Sequence, residues 1–291
     1  MKNLTITDVR VNPGDSGFLI DDGKTAILYD TGFGFTGRAM AEKIKNILSG
    51  RNLDYIFLTH SHYDHALGSG FINQYWEGVK VVAGTYTANI FGREGAKAVM
   101  KDLDSKFAKK CGVSDADYEF PGENLRVDIP VDDGDIIEAG SMSFKTIYLP
   151  GHTKCSVGFY SEEHALLLST ETIGVYDGEN IIFPSYLVSY KDTLDSIDRI
   201  KQFKIKNLLC PHYGVLNDMQ TKYYLDNCNR ASVELARFIA DRLKDGIDEY
   251  TIREEIKKKY RRGYIIDIYP EDAADMNISI MIQLIKKENL L

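Results

Sequence analysis

No stretch of the sequence approaches the eighteen or so consecutive apolar residues that a membrane helix needs, so no membrane role is expected. Low-complexity tracts and repeats of about 20–50 residues are also missing, which argues against a disordered or solenoid chain. Cysteine is scarce. The four present (Cys111, Cys155, Cys210 and Cys228) form no CxxC or other close pair, so free thiols are expected rather than a disulfide framework. Excess positive charge is lacking too: 35 Lys and Arg face 43 Asp and Glu, for a net charge of −8. That balance argues against a nucleic-acid backbone as partner. The densest basic run, Lys257 to Arg262, lies in a helix-like stretch and reads as a solvated face. Met1 to Val11 alternates polar and apolar residues without a basic segment leading into an apolar core. It reads as a first strand and not an export signal, and a cytoplasmic protein is expected.

What is present is an ordinary globular composition, 44% hydrophobic and 27% charged over 291 residues. The first half is rich in short β patterns punctuated by Gly and Asp: Leu4 to Val11, Gly17 to Ile20, Thr25 to Tyr29, Leu53 to Leu58 and Val79 to Ala83. Gly37 to Leu48 has helical spacing and stops at Gly50. Tyr86 to Gly112 is a helix-prone insertion, with Val99, Leu103 and Phe107 expected on one face. Ile129 to Leu149 returns to β, and Ala165 to Leu168 and Asn207 to Leu209 are compact strands, with a helix from about Leu194 to Phe203. From Lys222 the character changes, and Tyr223 to Leu243, Thr251 to Tyr260 and Ala273 to Lys287 read as helices. The expected division is a catalytic domain over residues 1–220 and a small helical extension over 221–291.

The chemistry concentrates at the end of the Leu53–Leu58 strand, in Thr59-His60-Ser61-His62-Tyr63-Asp64-His65. Four potential metal ligands fall within six residues. Imidazole nitrogens and carboxylate oxygens suit zinc, iron or manganese. A loop leaving a strand can turn His60 and His62 toward one metal and Asp64 and His65 toward a second.

His60-x-His62-x-Asp64-His65 resembles the signature of the metallo-β-lactamase superfamily, and further motifs follow in order. Asp30-Thr31-Gly32 resembles the family's aspartate turn, which supports the ligands from behind. Pro150-Gly151-His152-Thr153 resembles the element carrying the third ligand of the first metal. Leu168-Ser169-Thr170-Glu171-Thr172 stands where the family has its bridging carboxylate, and Pro211-His212-Tyr213-Gly214 matches the last histidine element. The resemblance covers about residues 1–220. Five of the six histidines lie in these motifs; the sixth, His164, reads as exposed and unemployed. The resemblance implies a four-layer αββα sandwich, two mixed sheets face to face, with metals at one edge. It also implies His60, His62 and His152 on one metal and Asp64, His65 and His212 on the other.

Two positions depart from the pattern. The family's bridging residue is aspartate; here it is Glu171, which offers the same oxygens one methylene further out. It can bridge, bind one metal, or swing away, and the longer arm favours oxygen-preferring metals. Asp177 is the one nearby substitute and lies too far past the strand end. Cys155 stands where the family has glycine; it and Cys210 read as small buried side chains. The implied function is a hydrolase that uses a binuclear metal-bound hydroxide to cleave a small ester, thioester or lactone. Asp64 would be its catalytic carboxylate, and zinc the expected metal, with iron or manganese as alternatives. A small phosphodiester hydrolase, an iron-dependent oxidoreductase and a non-catalytic metal module are the competing readings. The flavodiiron type of the fold carries glutamate where this chain has His62. Tyr176, Tyr186 and Tyr190 are candidate pocket-wall residues, though for any one of eighteen tyrosines packing is the commoner use. The expected partner is a small-molecule substrate, with neither nucleic acid nor membrane, and the C-terminal helices are read either as pocket wall or as a homodimer interface.

Overall fold

Residues 4–288 are described by a computed structural model. By density of internal contacts the chain forms two compact units, Met1–Ile147 with Phe159–His164 and Tyr148–Gly158 with Ala165–Leu291.

The first unit is built on a six-stranded sheet in sequential order, β1 (Thr5–Asp8), β2 (Phe18–Asp21), β3 (Ala26–Tyr29), β4 (Tyr55–Leu58), β5 (Lys80–Gly84) and β6 (Ile129–Val131). The first two pairings are antiparallel and the remaining three parallel. The parallel strands read as unbroken apolar runs because both faces are covered, and β3 is buried throughout. Helix α1 (Gly37–Leu48) connects β3 to β4 and packs Met40, Ala41, Ile44 and Leu48 into the same core as Leu28, Ile56 and Val81. Two single-turn helices, α2 (Tyr63–Ala66) and α3 (Ser69–Ile72), follow β4. The hairpin β7 (Ile136–Ala139) and β8 (Met142–Tyr148) closes the first half of the chain.

The helix-prone insertion is two helices, α4 (Thr85–Phe91) and α5 (Glu94–Lys110), broken at Gly92. Its inward face differs from the expected one. Val99 is 60% exposed, and Met100, Asp104 and Ala108 are the buried residues. A buried carboxylate displaces the apolar stripe because it has a partner: Asp104 Oδ1 accepts the Gly34 backbone N–H at 2.9 Å.

In the second unit, after β9 (Val157–Ser161), strand β10 (Leu166–Leu168) pairs parallel with β13 (Asn207–Cys210), which pairs antiparallel with β14 (Gly214–Leu216). Between them lie the small hairpin β11 (Val175–Tyr176) and β12 (Ile182–Phe183) and helix α6 (Tyr190–Ile200). The helical stretch comprises α7 (Asp218–Lys244), α8 (Glu249–Tyr260), α9 (Ile265–Ile268) and α10 (Glu271–Lys287). Helix α7 starts about a turn earlier than periodicity suggests because Asn217 and Gln220 form a reciprocal capping box. These helices share one apolar cluster with Val175, Phe183 and Tyr186 from the hairpin region.

Two surface expectations need correction. Lys257 is only 8% exposed, and its ammonium lies 2.6 Å from Glu254, 2.5 Å from Glu271 and 2.8 Å from Asp275. The basic run is therefore not simply a solvated face: Lys257 ties α8 to α10, and Arg262 pairs with buried Asp177 at 3.2 Å. A single ammonium with three donors can bind three carboxylates, which is why this lysine tolerates burial. His164, expected exposed, has a side chain 15% exposed and sits 3.3 Å from Glu163. The four cysteines are free thiols. No helix among the described residues is long and apolar enough to cross a membrane.

Burial pushes the Asp104 carboxyl up to about 7, opposed by its bond from Gly34 and aided by the nearby charge of Asp15. The folded protein thus holds a proton that the unfolded chain releases near the ordinary value of 3.8. The stabilisation is complete below the unfolded value and is lost as pH rises through the folded one. Asp104→Asn removes this dependence, so the variant is expected to gain on the parent by about 1–3 kcal/mol between pH 5 and pH 8. Parallel denaturant melts at the two values measure it; a stability difference independent of pH contradicts it.

Candidate metal centre

In the first unit the candidate ligands sit on the loop that leaves β4. His60 is fully buried and follows the strand by two residues; His62 is the residue before α2, and Asp64 and His65 lie within that turn. Nitrogens of His60 and His62 lie within 4.8 Å of each other, as do ligand atoms of Asp64 and His65. The His60 and His65 rings are 4.1 Å apart between centroids. The Asp64 side chain, 14% exposed, keeps some access to solvent.

Asp30 organises this loop. Its side chain is fully buried, and Oδ2 lies 2.8 Å from His65 Nδ1. The same carboxylate accepts the Thr59 N–H at 2.9 Å, the Thr59 hydroxyl at 3.1 Å and the Ser16 hydroxyl at 3.1 Å. Thr59 Oγ1 in turn lies 2.9 Å from His60 Nδ1. A carboxylate can only accept, so His65 carries its proton on Nδ1 and presents the Nε2 lone pair. The adjacent residue grips the loop a second way: Thr31 N–H and Oγ1 donate to the His65 carbonyl at 2.7 and 2.9 Å. The approach is close enough that a Cβ at Gly68 would lie 2.0 Å from the Thr31 carbonyl oxygen.

The second unit brings together His152, Glu171 and His212. His152 leaves a turn whose Gly151 carbonyl receives the N–H groups of Leu187, Val188 and Ser189 at 3.1, 2.9 and 3.3 Å. A Cβ at Gly151 would strike Thr193 Oγ1 at 2.2 Å, so only glycine fits. His152 Nδ1 lies 2.8 Å from the Ser185 carbonyl and 2.9 Å from its hydroxyl. A carbonyl must receive a proton, so this ring also presents Nε2. Glu171 opens a single 3₁₀ turn after β10; its side chain is 3% exposed. Its Oε2 lies 2.8 Å from His152 Nε2, and its Oε1 lies 3.5 Å from His212 Nε2. Tyr269 donates to Oε1 at 2.7 Å.

Lone pairs of His152 Nε2 and Glu171 Oε2 face each other across 2.8 Å, which requires a proton or a cation between them. Neighbouring ligand atoms on one tetrahedral zinc stand about 3.3 Å apart. Three imidazoles, those of His60, His62 and His152, with the buried carboxylate of Glu171 make a donor set that suits a divalent metal. Two of the four non-glycine residues with positive φ among the described residues are Asp30 (φ 51°) and His212 (φ 63°). Backbone strain of this kind persists where surroundings over-determine it.

The remaining candidates lie in packed surroundings. Asp177 accepts the N–H groups of Glu179, Asn180 and Ile181, which accounts for its carboxylate without a ligand role. Cys155 and Cys210 are buried, and burial raises the Cys210 thiol well above its ordinary value. Tyr176 donates to the Glu179 carbonyl, Tyr186 is fully buried, and Tyr190 packs edge-on against it. A separate acidic group, Glu254, Glu271 and Asp275, already has the Lys257 ammonium at its centre. Sequence reasoning missed Ser16, Thr59, Ser185 and Tyr269. Thr59 adjoins the histidine cluster, but no spacing links Ser185 or Tyr269 to their partners.

A family model described as the metallo-beta-lactamase superfamily matches residues 11–212. The chain is 26% identical over 147 residues to the acyl-coenzyme A thioesterase of Gallus gallus, covering 48% of this chain and 50% of that protein. It is 24% identical over 173 residues to the hydroxyacylglutathione hydrolase of Haemophilus influenzae, covering 59% and 72%. This chain thus spans half the length of the thioesterase. A crystal structure of a metallo-beta-lactamase family protein from Thermus thermophilus aligns with a TM-score of 0.66 and 20% identity over 99% of this chain and 95% of that one. At that identity the likeness shows the fold.

Asp30→Asn keeps the size of the side chain but removes the charge that fixes His65. The affinity for a divalent metal, measured by calorimetric titration, is expected to fall about 10–100-fold. Unchanged affinity in a folded variant would show that Asp30 serves the fold alone.

Proposed function

Because this chain belongs to the metallo-β-lactamase superfamily, we propose that it is a metal-dependent hydrolase of a small carboxylic thioester, ester or lactone. The observation that carries the reading is the shared state of His65 and His152. In each, Nδ1 is held by a buried acceptor, Asp30 or the Ser185 carbonyl, and Nε2 is left to ligate. The thioester class is favoured by the names of the two hydrolase relatives.

In this reading His60, His62 and His152 hold the first metal, Asp64, His65 and His212 hold the second, and Glu171 adds its carboxylate. Divalent cations held by these residues would supply Lewis acidity toward an acyl oxygen and lower the pKa of a bound water toward neutrality. Zinc is the proposed metal. Asp64, the ligand with partial solvent access, would orient the attacking water and hold its proton. Asp30 and Ser185 keep the imidazoles in one tautomer through the cycle. The reading calls for no Ser or Cys nucleophile. The cytoplasmic location and the small-molecule partner belong to the same proposal.

Protein purified without added metal or chelator is expected to carry about two divalent ions per chain by mass spectrometry, as a binuclear site requires. It should hydrolyse a member of an ester, thioester and lactone panel, lose that activity to a chelator and regain it with metal. Asp64→Asn is expected to lower kcat by about 10²–10⁴-fold. Turnover indifferent to chelation defeats the proposal. A single iron would move the search to oxygen-dependent assays, and turnover confined to phosphodiesters would replace the substrate class.

A further inference from the structure

The buried side chains around Glu171 form a closed circuit. His152 Nε2 lies 2.8 Å from Glu171 Oε2; Glu171 Oε1 accepts from the Tyr269 hydroxyl at 2.7 Å. Tyr269 lies 3.2 Å from Ser185 Oγ, which lies 2.9 Å from His152 Nδ1. Tyr269 follows α9 in the C-terminal helical stretch, 98 residues from Glu171, and lies outside every motif read from the sequence. It is 5% exposed, with its ring against Phe183 at 5.7 Å, so the hydroxyl is aimed by packing.

The proton directions follow from the groups. A carboxylate accepts only, so Tyr269 donates to Oε1, and Ser185 is then free to donate to the Tyr269 oxygen. One carboxylate oxygen is thereby engaged by the protein while the other faces His152 Nε2. A glutamate has one more rotatable bond than the aspartate of the usual pattern and so more conformers to lose on ordering. A buried phenol hydrogen-bonded to the far oxygen removes that freedom.

We propose that Tyr269 is a positioning residue of the metal centre: its hydroxyl holds Glu171 so that Oε2 alone ligates, beside His152. The assignment rests on the metal-centre reading above. It makes the C-terminal helices part of the site, and it makes Glu171 a one-oxygen ligand.

The test uses the full chain loaded with cobalt(II), reading the visible absorption bands and the dissociation constant by chelator competition. Tyr269→Phe keeps the ring and its packing. It is expected to retain its circular dichroism, shift the cobalt bands and weaken binding about 10–100-fold. Glu171→Gln should weaken binding by itself, and adding Tyr269→Phe to it should cause little further loss. Ser185→Ala, which opens the circuit from the other side, serves if the tyrosine variant does not fold. Identical bands and affinity in the parent and Tyr269→Phe overturn the assignment, as do losses that simply multiply in the double variant. A parent chain that takes up no cobalt overturns the metal-centre reading and this assignment with it.

Discussion

A metal-binding imidazole presents one nitrogen and keeps its proton on the other, and a fixed partner for that proton decides which. That requirement shapes both units of this chain. In one, a buried aspartate at the end of a strand holds His65 from behind and simultaneously ties down Thr59 and Ser16. In the other, the carbonyl of Ser185 does the same for His152. A charged partner and a neutral one reach the same tautomer by different means, and the difference should show in ligand basicity: a ring backed by a carboxylate is the stronger donor. The surrounding backbone is arranged around these two bonds. Gly68 and Gly151 are glycines because the chain passes within contact distance of Thr31 and Thr193, and Asp30 itself accepts a left-handed backbone to reach inward.

Much of this was legible beforehand, and the legible part has a common physical basis. Parallel strands buried on both faces appear as unbroken apolar runs, so β3, β4 and β5 stand out. A dense His/Asp cluster at a strand end marks a candidate metal site. The superfamily and its fold followed from the order of such motifs. What escaped was whatever depends on partners distant in sequence. Val99 looks as apolar as its neighbours, and only the bond from Gly34 to Asp104 turns α5 so that Val99 faces out. Lys257 looks like any lysine in a basic run until Glu254, Glu271 and Asp275 converge on it. Ser185 and Tyr269 lack a sequence signal for the same reason: one contributes a carbonyl, which every residue has, and the other is one tyrosine among eighteen.

The helical stretch after residue 217 also changes meaning once its packing is known. Its helices bury Leu235, Ile256 and Met281 in one cluster with Val175, Phe183 and Tyr186, residues that lie shortly after Glu171 in the chain. The hairpin that follows the carboxylate turn therefore has its apolar face covered by helices made much later. Asp177 reinforces this with an ion pair to Arg262, so the turn after Glu171 is fastened to the C-terminal helices by charge as well as by apolar contact.

The circuit through Tyr269 has a temporal side. A ribosome adds about 5–20 residues per second, so the 98 residues separating Glu171 from Tyr269 take roughly 5–20 s to make. Throughout that interval the nascent chain already carries Glu171 and most of its histidines, but not the hydroxyl that restrains the carboxylate. A metal bound in that interval would meet a carboxylate with more rotational freedom than the finished protein allows. The order of residues along the chain thus builds in a delay, with the ligands made first and their restraint last.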